Sequence, residues 1–263
     1  MNRRLQVLWF AVRAGSADHS AVFTWRTWLF GWFVRMLAQV LFFTTFGSLL
    51  GPAQAHYLLI GNAVVLVALH GLFATASTTW ELQNGTLPLL VASPSSPSLV
   101  LAGRSLFWLP DGVACGLGAI LILGPLSGLP LSLASVALTV LLLTLVAMTT
   151  YCLGLCLGSL VLSAADLRNV VSNATLTVMM ILCGAEVPRS ALPGVLGLVA
   201  QGLPMTHGLL AIRQVLAGTA GMGTAVAAAQ EAAVGACWLG AAIAVLAWRA
   251  RRSRRDGAAL FLT

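Results

Sequence analysis

The sequence predicts an all-α membrane protein: six transmembrane helices, an N-terminal interfacial helix and a re-entrant helical hairpin before the last span. Three observations lead there. First, 59% of the 263 residues are hydrophobic and only 8% are charged, against about 25% charged in a soluble domain. Second, the apolar runs are long, and roughly 20 residues suffice to cross a hydrocarbon layer. Third, most charged residues fall between those runs or at the chain ends. Residues 1–263 therefore read as a single transmembrane domain, with no room for a separate soluble catalytic domain.

Residues 1–20 are expected to form the interfacial helix. Between Arg3 and about Ala14, Leu5, Leu8, Trp9 and Val12 share one face, with Arg3, Gln6 and Arg13 on another. That pattern suits a helix lying in the headgroup plane. Arg13 and Asp18 interrupt what would follow the basic start of a signal peptide, and no small-residue cleavage site is evident, so no cleavable leader is expected. The first span is expected from about Trp28 to Leu50, with Trp25, Trp28 and Trp32 forming an aromatic belt at its start. Gly51 and Pro52 mark a turn, and the second span follows from about Tyr57 to Thr79. Residues 80–98 are too polar and too rich in Pro and Gly to lie in lipid. The third span runs from about Arg104 to Leu123. The fourth runs from about Leu131 to Leu160 and the fifth from about Val170 to Gly184.

Residues 185–224 differ. They are apolar, yet Pro188, Pro193, Pro204 and many glycines break them into two short helical pieces, about Leu192 to Leu203 and Gly208 to Leu216. Backbone broken in this way persists at membrane depth only where protein or water satisfies it. A hairpin entering from the outside is the expectation. The sixth span runs from about Ala225 to Trp248, and residues 249–263 form a basic tail.

Charge sets the expected orientation. All fourteen basic residues are Arg. With both termini in the cytoplasm, Arg3, Arg4, Arg13, Arg26, Arg104, Arg168 and five tail arginines lie inside, and only Arg189 and Arg213 lie outside. This distribution accounts for the net charge of +7 without a nucleic-acid partner. A bacterial inner membrane is the expected location, with lipid as the surrounding partner.

Several chemistries are absent. Without Lys there is no phosphate-binding loop of the Gly-x-x-x-x-Gly-Lys kind, and there is no His-Glu-x-x-His. The five Cys residues sit in apolar runs and read as small packing groups. His19, His56, His70 and His207 are scattered, so no metal site is expected. No catalytic residue is expected either. Arg35 and Asp111 are the candidate intramembrane polar sites, each within one to two turns of the cytoplasmic edge. Three glycine pairs, Gly47/Gly51, Gly112/Gly116 and Gly154/Gly158, have the spacing that lets helices approach closely.

The loop that follows the second span carries the most specific signal. In Trp80 to Pro94, an acidic residue precedes a Gly-Thr-Leu, then a Leu and a Ser-Pro: Glu81, Gly85, Thr86, Leu87, Leu90, Ser93 and Pro94. Gly85 and Pro88 stop a continuing helix. This run resembles the loop signature of type-2 ABC exporter permeases, the membrane subunits of drug-resistance, polysaccharide and lipo-oligosaccharide exporters. Pro88 stands where that family often has Glu. Pro188, Leu192, Pro193, Pro204, Arg213 and Gly218 match the family's pattern near the end of the chain.

The resemblance implies a permease subunit of an ATP-driven exporter, paired with a second permease copy and two copies of a separate cytoplasmic ABC ATPase. ATP and Mg would belong to that ATPase, with no cofactor on this chain. Glu81, Gly85, Thr86, Leu87, Leu90 and Pro94 would form the ATPase-coupling loop, and Pro188, Pro193, Pro204, Arg213 and Gly218 the outer hairpin motif. A path lined by apolar and small residues suits a hydrophobic or amphipathic cargo: a drug, lipid, peptide or glycolipid. The alternative is a carrier driven by an ion gradient, against which the lack of a carboxylate chain counts.

Overall fold

The computed structural model describes residues 3–83, 97–161 and 164–256. Among the described residues, ten α-helices make up nearly all of the structure and no strand occurs. The chain is an all-α membrane protein. Helix α1 (Arg3–Val22) leads into a π-helical segment (Thr27–Phe33) continuous with α2 (Val34–Ser48). Then follow α3 (Pro52–Gln83), α4 (Pro97–Ser105), α5 (Trp108–Leu126) and α6 (Leu133–Leu160). The remainder is α7 (Arg168–Leu182), α8 (Gly194–Gln201), α9 (Thr206–Leu216) and α10 (Met222–Asp256).

Among the described residues, five stretches are long and apolar enough to cross a membrane: Thr27–Ser48, Pro52–Ser77, Leu99–Leu126, Leu133–Leu160 and Met222–Arg249. They match the first, second, third, fourth and sixth expected spans. The fifth has the expected length, two residues earlier in the chain, but is too short to cross as a straight span. Helix α7 has 15 residues, about 22 Å at 1.5 Å per residue, against a hydrocarbon core of about 30 Å. Helices α8 and α9 meet at 90° across a four-residue break, and the pair gives a sixth crossing only if counted as one broken span. The hairpin of two short helices is therefore present where the prolines predicted it.

Three local departures have physical causes. The third span is two helices because Pro110 cannot follow a helical carbonyl at Leu106 without a clash; the Leu106 carbonyl instead accepts the Leu109 N–H at 3.1 Å. The N-terminal helix has the expected length but turns a different face inward. Ala11 and Gly15 are buried while Leu5 and Trp9 are about half exposed, because Ala11 and Gly15 allow close contact with α4 at Gly103 and Arg104. Thirdly, Trp28 and Trp32 do not form an outward belt. They turn into the protein and give their indole N–H groups to buried acceptors; Trp25 alone of the three points outward.

Helix α3 is the axis of the bundle. Ala63 to Ala68 are fully buried in sequence, so this helix is enclosed on all sides. It packs on α2, α5, α6 and α7. In lipid the tails are as apolar as Leu, so helix association rests on close packing and polar bonds and not on hydrophobic burial. The contacts fit that rule. A Cβ on Gly71 would lie 2.2 Å from the Thr150 hydroxyl, and one on Gly154 would lie 2.6 Å from the Gly71 carbonyl. At the same crossing Thr75 donates to the Gly154 carbonyl at 3.0 Å. The apolar side chains left outside, such as Phe30, Phe42 and Phe46, lie on the outer helix around α2.

Candidate functional site

The loop residues Gly85, Thr86, Leu87, Leu90 and Pro94 lie outside the described residues, as does the side chain of Glu81. The backbone of Glu81 falls in the last turn of α3. Glu81 is thus carried on the central helix itself.

The residues of the predicted hairpin motif punctuate the segment around α8 and α9. Pro188 accepts the Ala191 N–H at 2.9 Å and opens a short turn. Pro193 precedes α8 and accepts the Gly197 N–H at 3.1 Å. Pro204 ends the first arm, and its carbonyl accepts the Cys183 thiol at 3.5 Å. Gly218 closes α9 with φ +72°, a left-handed conformation that Gly adopts without strain.

Arg213 ties this hairpin to the bundle. Its guanidinium donates to the carbonyls of Gly184 (2.8 Å), Tyr57 (3.1 Å) and Ala185 (3.3 Å). It also lies 3.6 Å from the Tyr57 ring centroid, and the Tyr57 hydroxyl donates to the same Gly184 carbonyl at 2.6 Å. One cation thus joins α9, the start of α3 and the turn after α7. The planar fork of Arg suits several fixed acceptors at once.

At the other end of α9 stands Glu231, fully buried on α10. One carboxylate oxygen accepts the Met205 N–H (2.7 Å) and the Thr149 hydroxyl (2.6 Å). The other accepts the N–H groups of His207 (3.1 Å) and Gly208 (2.9 Å). These are the orphan donors of a helix N-terminus, and the positive end of the helix dipole favours the negative charge. Met205 holds φ +76° at the bend. Sequence reasoning did not single out Glu231. The available signal was its position as the one charged residue in the sixth apolar run.

A third polar cluster lies between α3 and α5. Asp111 is in the first turn of α5 and His70 is on α3, both buried. The nearest atoms, His70 Nε2 and Asp111 Oδ2, are 3.2 Å apart. His70 Nδ1 is 2.6 Å from the Leu66 carbonyl, and a carbonyl only accepts, so Nδ1 carries a proton. Trp28 donates to Asp111 Oδ1, and Trp32 donates toward His70 Nε2 at 3.2 Å. Cys115, one turn after Asp111, brings its sulfur to the same place. Gly112 permits the approach, because a Cβ there would lie 2.7 Å from His70 Cβ. Arg35 does not join Asp111. It is exposed on α2 with its guanidinium 5.0 Å from the Trp32 ring centroid.

The fold thus places two anchors on the broken hairpin and a polar cluster at a tight crossing inside an apolar bundle. No curated protein matches the chain. A family model described as ABC-2 type transporter matches residues 18–217, from the end of α1 through the hairpin, so the chain belongs to the ABC-2 type transporter family as a membrane-spanning permease component.

Proposed function

We propose that this chain is the permease of an ATP-driven exporter, working as two copies with the substrate path between them and two copies of a separate ABC ATPase below. Both termini face the cytoplasm of a bacterial inner membrane on this reading, which the arginine distribution supports. The cargo is hydrophobic or amphipathic. The observation that carries the proposal is the course of α3: the enclosed central helix runs unbroken to Gln83 and delivers Glu81 at the edge of the signature loop. A push on that loop by the ATPase moves the helix against which α2, α5, α6 and α7 all pack. Nucleotide then biases two packings of one bundle.

Replacing Glu81 or Gly85 is expected to abolish transport coupled to ATP hydrolysis in vesicles that hold both subunits, while insertion and melting temperature stay unchanged. Normal transport by both variants would remove the loop from the coupling path. The buried His70–Asp111 pair favours a second reading, a carrier driven by a proton gradient. It predicts transport by this chain alone in vesicles that lack any ATPase.

A further inference from the structure

We propose that His70, Asp111 and Cys115 form a binding site for a divalent transition-metal ion of the zinc class, held between α3 and α5. Four observations lead to it. One potential ligand atom from each residue lies within 4.8 Å of the other two, and all three residues are buried. Bonds of about 2.0–2.3 Å from zinc to N, O and S set neighbouring ligands under about 4 Å apart, so a small inward shift completes the triad. Asp111 and Cys115 are four apart on one face of α5, and Gly112 between them lets His70 come close.

The second observation concerns which atoms face each other. The Leu66 carbonyl fixes the Nδ1 proton of His70, which leaves Nε2 as the coordinating nitrogen. Asp111 Oδ2 stands 3.2 Å from that nitrogen, is buried, and accepts no hydrogen bond. Nε2 accepts the Trp32 indole N–H at 3.2 Å, so it offers a lone pair, and the unsatisfied Oδ2 beside it offers another; a cation between them would take both.

Thirdly, the charges balance. A divalent ion with one carboxylate, one thiolate and a neutral imidazole is net neutral, which suits an apolar interior where an isolated charge is costly. Fourthly, the mixed N, O and S donor set suits zinc and its neighbours and not magnesium or calcium, which take oxygen. Three protein ligands leave one open position. Trp32 would release its bond to His70 as the ion binds, and the ion would clamp the two helices beside their close approach at Gly112. The site stands independently of how transport is driven.

The test uses the full chain in lipid nanodiscs, titrated with Co²⁺ and competed with Zn²⁺. One equivalent per chain is expected, with a thiolate-to-cobalt charge-transfer band and a fall in tryptophan emission. Cys115→Ser should lose the band while keeping its metal-free melting temperature. His70→Gln should weaken binding by more than the ~10–100-fold typical of losing an outer-shell partner, and it carries the test if Cys115→Ser does not fold. Absence of the band in wild type would overturn the site and leave a proton as the particle shared by His70 and Asp111. A band that survives Cys115→Ser, or affinity unchanged in His70→Gln, would overturn it equally.

Discussion

Glu231 saturates both carboxylate oxygens with four donors, three of them backbone N–H groups at the start of α9. A carboxylate there is worth more than its shape. Glu231→Gln keeps the volume but turns an NH₂ group toward N–H donors, so at least one donor loses its partner, at a cost of about 1–3 kcal/mol. A lower melting temperature in detergent is expected for Glu231→Gln, and a larger drop for Glu231→Ala; unchanged melting in both would show that the cap does not hold the hairpin. At this scale the sequence was only partly readable. Asp111 was identifiable as an intramembrane acid, but its partners are 83 and 41 positions away at Trp28 and His70. Glu231 caps a helix 23 residues or more before it, and no local pattern announces that pairing.

At the scale of the element, the hairpin of α8 and α9 is the feature best explained by local chemistry. Pro188 and Pro193 stand at helix starts, where a missing N–H costs nothing, Pro204 lies in the break between α8 and α9, and Gly218 accepts the left-handed turn that closes α9. Those marks are visible in the sequence, and the hairpin appears where they stand. The split at Leu106–Phe107 was less visible, because the apolar run continues across it. The inward turn of Trp28 and Trp32 was not visible at all, since it depends on acceptors from other helices. What sets the hairpin's position is Arg213 at one end of α9 and Glu231 at the other. Arg213→Lys keeps the charge but cannot reach three carbonyls as a fork, and the stacked contact with Tyr57 weakens as well. A loss of about 2 kcal/mol is expected, read as earlier thermal unfolding and faster proteolysis near residues 185–193. Stability equal to wild type would mean that a point charge suffices there.

For the whole molecule, the fold class and the family were both legible before any coordinates. The first followed from apolar length and the second from two short motifs on either side of the bundle. The packing was legible only in part: the spacing marked Gly112, Gly116 and Gly154 as points of close approach, which they are, but not Gly71 or the partners that each one meets. The central α3 links these levels, since it carries His70 and Gly71 in the bundle and Glu81 at its end. The central claim is that this bundle moves cargo only when a separate ATPase hydrolyses ATP. Accumulation of a fluorescent amphipathic dye in inside-out vesicles holding both subunits tests it most directly. The account predicts accumulation that requires the ATPase and hydrolysable ATP and that survives a protonophore. Accumulation without the ATPase, collapsing when a protonophore is added, would contradict it.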